Sequence, residues 1–244
     1  MRFVKQFILF GLCALISPVV AGEVDYVDFA RLLERYVADD GVRYAAWADN
    51  SADVAALEAV LAALGSVNVA DLSRKEQKAF YINLYNAAML QAVFEHWPVD
   101  SVKAIGPEPF SIFKKKFIRL GDRRLSLDKV EKGILLQDYF DPRIHFAVNC
   151  ASESCPPLRA EPFVGKRLDT QLEAQTQLFA ASKRAARVDR AQKSVAYSSL
   201  FKWYADDFPG TSPADYLNQY RKDPLPTNFE AEWIPYDWSL NAAE

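Results

Sequence analysis

The sequence predicts an α+β fold in which helices pack around a small, mainly antiparallel sheet. Apolar residues recur at helical spacing through most of the chain, whereas strand-like segments are short and unevenly placed. Helices and strands therefore do not alternate in the regular way of a doubly wound parallel sheet. Repeats and long linkers are missing from the sequence, so we expect residues 22–244 to form a single globular domain.

The first 21 residues have the three-part pattern of a cleavable secretory signal. Arg2 and Lys5 supply positive charge, an apolar run covers residues 7–16, and small residues end at Ala21. The apolar run is shorter than the roughly 20 residues that a membrane-spanning helix needs. We therefore expect a periplasmic or secreted protein with no stable membrane insertion after cleavage.

The composition of the chain limits the classes of partner and cofactor that we expect. The chain has 29 basic and 32 acidic residues, and loss of the signal removes two basic and no acidic ones, which leaves a net charge of about −5. A mildly acidic protein has no electrostatic reason to bind nucleic acid or anionic lipid. The sequence contains no G-x-S-x-G, phosphate loop or H-E-x-x-H motif, so we expect no cofactor and no metal.

In the first half of the chain, apolar spacing predicts helices over residues 26–36, 53–64 and 73–96, with a short extended piece over 42–47. The third helix is the longest and carries apolar residues near one face, and Pro98 follows its end. We therefore expect this helix to be central to the fold.

In the second half, Gly121 and Asp122 separate two short strand-like runs and predict a hairpin. A helix is expected from Ser126 or Asp128 to Leu136, and a strand over residues 144–149. The remaining predictions are helices over 168–182, 198–209 and 212–221, and strands over 186–189, 194–197 and 233–238.

Two asparagines lie inside the long predicted helix. Asn83 and Asn86 are three residues apart and share a face. Asparagine is a poor helix former, so a pair in an apolar helix needs a reason. Buried amides usually bind backbone, which favours a structural role. The alternative is that they face a pocket and bind substrate.

The sequence has only two histidines, which limits the candidates for a catalytic base. His96 ends the long helix, where it can bond the last carbonyl groups. His145 lies on the predicted strand that leads into Cys150 and Cys155, and alternation along that strand would point Asn149 the same way. An imidazole beside a thiolate is the usual arrangement of a cysteine nucleophile.

The cysteine pair has other interpretations. Cys150 and Cys155 are five positions apart, and in an oxidising compartment they are candidates for a disulfide worth about 2–3 kcal/mol. A reversible redox pair is also open, although the spacing differs from C-x-x-C. A metal site would need more ligands at tighter spacing.

The chain contains the motif H-F-A-x-N-C-x-x-x-S-C-P-P, from His145 to Pro157. This motif is the most specific of several that are similar to the bacterial family catalogued as domain of unknown function 547. The resemblance runs from about Tyr26 to the C-terminus. Other segments that carry it are 81–87, 125–135, 201–208 and 236–241. The motif residues that carry over are Asn83, Asn86, Glu131, His145, Asn149, Cys150 and Cys155. The resemblance implies no settled reaction.

The chain departs from the family in one place. The family often has glutamate-histidine-glycine where this chain has Glu131, Lys132 and Gly133. A family base at that histidine would make this protein inactive, whereas a base at His145 would not. The helix-then-strand order also faintly resembles papain and transglutaminase-like folds, but no cysteine precedes His145 after residue 21.

Two hypotheses follow. In the first, Cys155 is the nucleophile, His145 is its base, and Glu131 or an asparagine orients the imidazole. The reaction would be amide or thioester cleavage, or acyl transfer, on a peptide-like or thiol-containing molecule. In the second, the protein is a non-catalytic periplasmic binding or scaffold domain with a structural disulfide between Cys150 and Cys155. Asn83, Asn86 and Asn149 would contact the small-molecule or peptide ligand.

Overall fold

Helices surround two small sheets in the computed structural model, which describes residues 22–243. This confirms the α+β class. The predicted signal segment lies outside the described residues. Within the described residues, no helix combines the length and apolarity needed to cross a membrane.

The first four helices build the larger part of the core. They are α1 (Val27–Tyr36), α2 (Tyr44–Ala48), α3 (Ser51–Gly65) and α4 (Arg74–Phe94). The prediction of an extended piece over residues 42–47 is wrong, because α2 occupies most of that segment. Its two large side chains lie three residues apart and are both fully buried, which a helical turn achieves on one face.

Helix α4 is central to the fold, as predicted. The Ser73 side chain caps it by accepting a hydrogen bond from the backbone of Glu76. From Ala79 to Val93 every residue of α4 is buried. A helix that is enclosed on all sides needs partners for its polar side chains, and Asn83 and Asn86 are two of these side chains.

A predicted hairpin follows the short helix α5 (Ser111–Lys114). Strands β1 (Ile118–Leu120) and β2 (Arg123–Leu125) pair antiparallel. The turn uses Gly121 with a positive φ of 56°, a conformation that glycine adopts without strain. Helix α6 (Leu127–Val130) then begins behind a Ser126 cap.

Between α6 and α7 (Leu136–Asp138), residues Glu131–Leu135 form a π-helical turn. This is a different conformation from the regular helix expected through Leu136. Such turns are rare and often occur at functional sites, because the extra residue redirects the side chains.

The predicted strand over residues 144–149 is wrong. Residues Pro142–Phe146 form a 3₁₀ helix, which begins at the Asp141 cap. Ile144, His145 and Phe146 are consecutive and all buried, because this turn lies between two hydrophobic cores. Apolar residues on every side produced a strand-like pattern without a strand.

The smaller core contains the second sheet. Helix α8 (Leu168–Ala181) is followed by β3 (Ala186–Asp189), β4 (Ser194–Tyr197), α9 (Leu200–Trp203), α10 (Pro213–Asn218) and β5 (Glu230–Trp233). The strand order is β3-β4-β5, with an antiparallel first pair and a parallel second pair. The predicted strand over residues 233–238 is therefore wrong, because the last strand ends at Trp233 and residues 234–238 are not in a strand.

The chain after β5 crosses the molecule and contacts its beginning. Leu240 bridges Ser152, and Ala242 bridges Val42. The Asn241 backbone donates to the carbonyl of Ala151. This C-terminal segment, residues 234–243, therefore joins the loop that carries both cysteines to the first helices.

Candidate functional site

A cavity of about 500 Å³ lies where the larger and smaller cores meet, and we call it the central pocket. It brings together four residues that the sequence singled out: Glu131, His145, Cys150 and Cys155. The other lining residues are Tyr85, Phe110, Phe113, Lys114, Asp128, Lys132, Val148, Pro156, Leu200, Trp203, Tyr204, Tyr236 and Trp238. Its size suits a small molecule or a short peptide segment.

Both cysteines of the described chain are free thiols. The backbone N–H of Cys150 donates to Sγ of Cys155 over 3.0 Å. Around Sγ of Cys150 lie the hydroxyl groups of Ser152, at 3.0 Å, and Tyr236, at 3.5 Å. Cys150 is half-buried at the pocket wall, whereas Cys155 is only 4% exposed.

These surroundings give the two thiols different pKa values. The hydrogen bond from Cys155, helped by those of Ser152 and Tyr236, outweighs burial and lowers the pKa of Cys150 to about 7. Burial raises the pKa of Cys155 well above its ordinary value. Near neutral pH the thiolate therefore resides on Cys150, not on Cys155, which the sequence argument had preferred.

Tyr236 remains a hydrogen-bond donor beside this sulfur. Burial raises the pKa of its phenol well above the ordinary value, so the phenol keeps its proton. The Ser152 hydroxyl lies 3.2 Å from the Tyr236 oxygen and 3.0 Å from the Cys150 sulfur, and the phenolic proton can point at Cys150.

His145 is oriented by a residue that the sequence argument did not name. Its Nε2 lies 2.8 Å from a carboxylate oxygen of Asp207. Burial lowers the pKa of His145, although the Asp207 hydrogen bond opposes this, so the ring is neutral near pH 7. A neutral ring beside a carboxylate carries its proton on Nε2, which leaves Nδ1 as an acceptor.

Within residues 22–243 no hydrogen bond joins His145 to either sulfur. The Tyr204 ring packs against the imidazole instead, with 4.2 Å between ring centroids. A direct thiolate–imidazole hydrogen bond is thus not formed.

Glu131 acts on the site through Tyr204. Its carboxylate accepts a hydrogen bond from the Tyr204 hydroxyl over 2.8 Å, and its side chain is nearly buried in the π-helical turn. Burial, with the nearby charge of Glu131, raises the pKa of Tyr204. Glu131 therefore fixes the tyrosine that covers His145, while Asp207 holds the imidazole itself.

The three asparagines expected to contact substrate bind backbone and are not among the pocket-lining residues. Asn83 exchanges two hydrogen bonds with the backbone of Phe163. Asn86 donates to the Ala147 carbonyl and accepts from the Asn149 backbone. These bonds tie α4 to two loops.

The third asparagine shapes the cysteine loop. The Asn149 side chain donates to the Pro156 carbonyl and accepts from the backbone of Ala151. Ala151 has a positive φ of 60°, which is uncommon for a residue with a side chain. The loop therefore has a specific conformation, stabilised by Asn149, that brings the two sulfurs together.

Lys132, the departure from the family pattern, lies at the pocket. Its ammonium group forms a 2.8 Å ion pair with Asp128 on the preceding turn. Both residues line the cavity. The substitution thus places a paired cation at the wall, while His145 keeps its place with Asp207.

Aromatic side chains form one wall of the pocket. Trp203, Tyr236 and Trp238 lie with ring centroids 4.4–5.8 Å apart, and Phe110 contacts Trp238 edge-on at 4.7 Å. Trp203 is 49% exposed. A half-exposed tryptophan beside a cavity is a typical contact surface for a flat or apolar ligand group.

Among residues 22–243, no group of three or more histidine, cysteine, aspartate or glutamate residues is placed to hold a metal ion.

The fold and site define a helix-rich α+β domain with an asymmetric dithiol in an aromatic pocket. Residues 69–180 match the model of the family described as "Protein of unknown function, DUF547", and the chain thus carries a domain of that family. The match includes Glu131, His145 and both cysteines. Asp207 and the C-terminal segment lie beyond it.

No curated protein and no solved structure matches the chain. The faint likeness to papain and transglutaminase-like folds is therefore not confirmed.

Sequence reasoning missed Asp207, Tyr204, Ser152 and Tyr236. Tyr204 and Asp207 lie in a segment that carried the family resemblance, but nothing in the sequence assigned them a role. A tyrosine and an aspartate three residues apart on a helical turn share a face, and that spacing was the available signal.

Proposed function

We propose that the central pocket is the active site of a thiol-dependent hydrolase or acyltransferase, with Cys150 as the nucleophile. The observation that carries this proposal is the sulfur of Cys150 at the pocket wall, with two hydroxyl groups and a second thiol around it. These donors favour the thiolate, which is the reactive form of cysteine.

The proposed reaction has two steps. The Cys150 thiolate attacks the carbonyl carbon of an amide or thioester, and the amine or thiolate leaves as an acyl–sulfur bond forms. Water, an amine or a thiol then attacks the acyl group and restores the Cys150 thiolate.

His145 would move the protons in these steps. In the first step a thiolate leaves without a proton, whereas an amine takes the proton that Nδ1 has accepted from solvent. In the second step Nδ1 takes a proton from the attacking water, amine or thiol and returns it to solvent. Asp207 stabilises the imidazolium that forms at His145 across 2.8 Å. The roles of base and orienting carboxylate thus belong to His145 and Asp207, with Glu131 supporting them through Tyr204.

The pocket wall favours an acyl group with a flat or apolar surface. Trp203, Tyr236 and Trp238 offer ring faces, and Lys114 lies exposed at the edge of the cavity, where it can attract a carboxylate. This is compatible with a peptide-like or thiol-containing substrate that carries an aromatic or aliphatic acyl group and a negative charge.

The test uses reduced protein, residues 22–244, with benzoyl and acetyl thioesters as probes. We expect intact-mass spectrometry to trap one acyl group on wild-type protein, faster from the benzoyl probe, and none on Cys150→Ala. Iodoacetamide should modify Cys150 at a rate that rises with pH through about 7 as the thiolate forms, then levels off.

Cys155→Ala is the matched control for the experiment that detects an acyl group on Cys150. It removes the neighbouring donor but keeps the attacking sulfur, so it should still be acylated, and its iodoacetamide midpoint should move to higher pH. Equal labelling of Cys150→Ala and wild type would refute the assignment of the nucleophile.

A non-catalytic binding domain is the second candidate. The observation that favours it is the pairing of His145 Nε2 with Asp207, while neither sulfur accepts or donates a hydrogen bond to the ring within the described residues. If wild type and Cys150→Ala bind a benzoyl thioester equally and neither turns it over, this candidate replaces the enzyme.

We propose, in addition, that the protein is exported and that cleavage follows Ala21. The support is the charge and apolar pattern of residues 1–21. Expression of the full chain in a bacterium, followed by fractionation and N-terminal sequencing, should give a periplasmic or secreted product that begins at Gly22. An uncleaved product that begins at Met1 would contradict this.

A further inference from the structure

The loop between the two cysteines is already closed in the reduced protein. The backbone N–H of Cys150 donates to Sγ of Cys155, and the Cys155 backbone donates to the carbonyl of Ser152. Asn149 holds both ends of the loop through Ala151 and Pro156. Bonding the two sulfurs would therefore require little loss of chain entropy, because the fold has already closed the loop.

The C-terminal segment stabilises this loop from the other side. The backbone N–H of Glu153 donates to the Ser239 carbonyl, and that of Ser154 donates to the Asp237 carbonyl. The positions of both sulfurs are thus fixed by the folded chain around them.

The two thiols differ in access. Both residues line the pocket, but Cys150 is half-buried and a bound molecule can reach it, whereas Cys155 is only 4% exposed. A buried thiol cannot attack a molecule in solution, but it can attack an adjacent sulfur. This is the division of labour between an attacking and a resolving cysteine.

We propose that Cys150 and Cys155 form a dithiol that reduces small disulfides bound in the central pocket, with Cys150 attacking and Cys155 resolving. The inference rests on Cys150 being the pocket nucleophile, as proposed above. It adds an activity and a substrate class, a low-molecular-weight disulfide.

The proposed reaction is two successive thiol–disulfide exchanges. The Cys150 thiolate attacks one sulfur of the bound disulfide, forms a mixed disulfide and expels the other half as a thiolate. The Cys155 thiol attacks Cys150 Sγ, its proton passes to solvent or to the leaving sulfur, and the second half leaves as a thiol. One disulfide is reduced to two thiols, and the two cysteines are oxidised to one internal disulfide.

The acidities of the two thiols support this order of steps. A thiol with a pKa near the ambient pH is the most effective attacker, and the hydrogen bonds at Cys150 lower its pKa to about 7. Oxidation also occupies Cys150, so acyl transfer at the pocket would stop until a thiol reductant restores the pair.

The experiment exposes reduced protein to glutathione disulfide near pH 7, followed by acid quench and intact-mass spectrometry. Wild type should lose the mass of two hydrogens and release two molecules of glutathione per chain. Cys155→Ala and Cys155→Ser should instead keep one glutathionyl group and release one molecule. Cys150→Ala should do neither.

Three results would overturn the inference. Wild type could keep the glutathionyl group as stably as the Cys155 variants do. Wild type could fail to react with glutathione disulfide while iodoacetamide still modifies Cys150. Cys150→Ala could take up glutathione at Cys155. If both Cys155 variants fail to fold, judged by thermal unfolding, the wild-type time course decides, because resolution requires the mixed disulfide to appear first and then decay.

The failure of this inference differs from the failure of the proposed hydrolase. Glutathione exchange without any acyl trap leaves the dithiol activity standing alone. An acyl trap without exchange leaves the hydrolase standing alone. Cys150 inert to thioester, iodoacetamide and glutathione disulfide refutes both.

Discussion

At the scale of single residues, the role of each side chain at the site depends on how deeply it is buried and on which groups surround it. Cys150 and Cys155 are close neighbours at the same cavity, yet Cys150 is half-buried and Cys155 is almost fully buried. His145 is buried and neutral, and its only carboxylate partner in the described chain is Asp207. The assignment of roles thus follows from surroundings rather than from residue type.

The Asp207→Asn variant tests the electrostatic role of that carboxylate. The carboxylate favours the charged form of His145, so its replacement by a neutral amide should lower the pKa of His145 further. NMR titration of the imidazole protons measures this, and His96 serves as an internal reference.

Asp206→Asn is the matched control, since Asp206 is the exposed neighbour of Asp207. It should leave the His145 titration close to that of wild type. An unchanged His145 pKa in Asp207→Asn would contradict the pairing of the imidazole with this carboxylate.

At the scale of elements, α4 organises the site without lining much of it. Its buried amides hold the loops on either side, and the 3₁₀ turn that carries His145 depends on Asn86. The asparagines expected to bind ligand instead make the backbone contacts that enclose the helix. Their presence in an apolar helix is explained by the carbonyl and N–H groups that would otherwise be buried without partners.

The Asn86→Ala variant should destabilise the protein by about 2–4 kcal/mol, because it leaves the Ala147 carbonyl and the Asn149 N–H buried without partners. Urea unfolding followed by circular dichroism measures the change.

Asn68→Ala is the control for this variant. Asn68 is exposed, and within the described part of the chain its side chain bonds only the exposed Asp71 side chain, so its loss should cost at most about 0.5 kcal/mol. Equal effects of the two substitutions would show that the buried amide does not hold the turn.

At the scale of the whole molecule, the C-terminal segment connects the site to the first helices. It supplies Tyr236 and Trp238 to the pocket, and Asn241 accepts a hydrogen bond from the buried Tyr44 hydroxyl. Gly41 packs directly against this segment, where an added Cβ would clash with the carbonyl oxygen of Asn241 and lie 3.0 Å from the Ala243 nitrogen.

The Gly41→Ala variant should therefore cost about 1–3 kcal/mol of unfolding free energy, the usual range for overpacking against backbone. It should also change the iodoacetamide reactivity of Cys150, since the displaced segment carries Tyr236. Thermal unfolding and alkylation rates measure the two effects.

Gly22→Ala provides the comparison, because a Cβ there meets only Leu72, at 4.0 Å, among residues 22–243. It should leave both stability and Cys150 reactivity near wild type. A Gly41→Ala protein with wild-type values would show that the segment is not tightly packed against the start of the chain.

The sequence by itself determined the α+β class, the hairpin at Gly121 and the central helix, and it singled out His145 and both cysteines in one dense motif. These rest on local periodicity, turn chemistry and a dense motif, which are properties of neighbouring residues. Tertiary structure alone decided that residues 142–146 form a 3₁₀ turn between two cores, that Cys150 faces the cavity, and that Asp207 holds His145. Burial and contacts between residues far apart in the chain set these features, and neither can be read from local pattern.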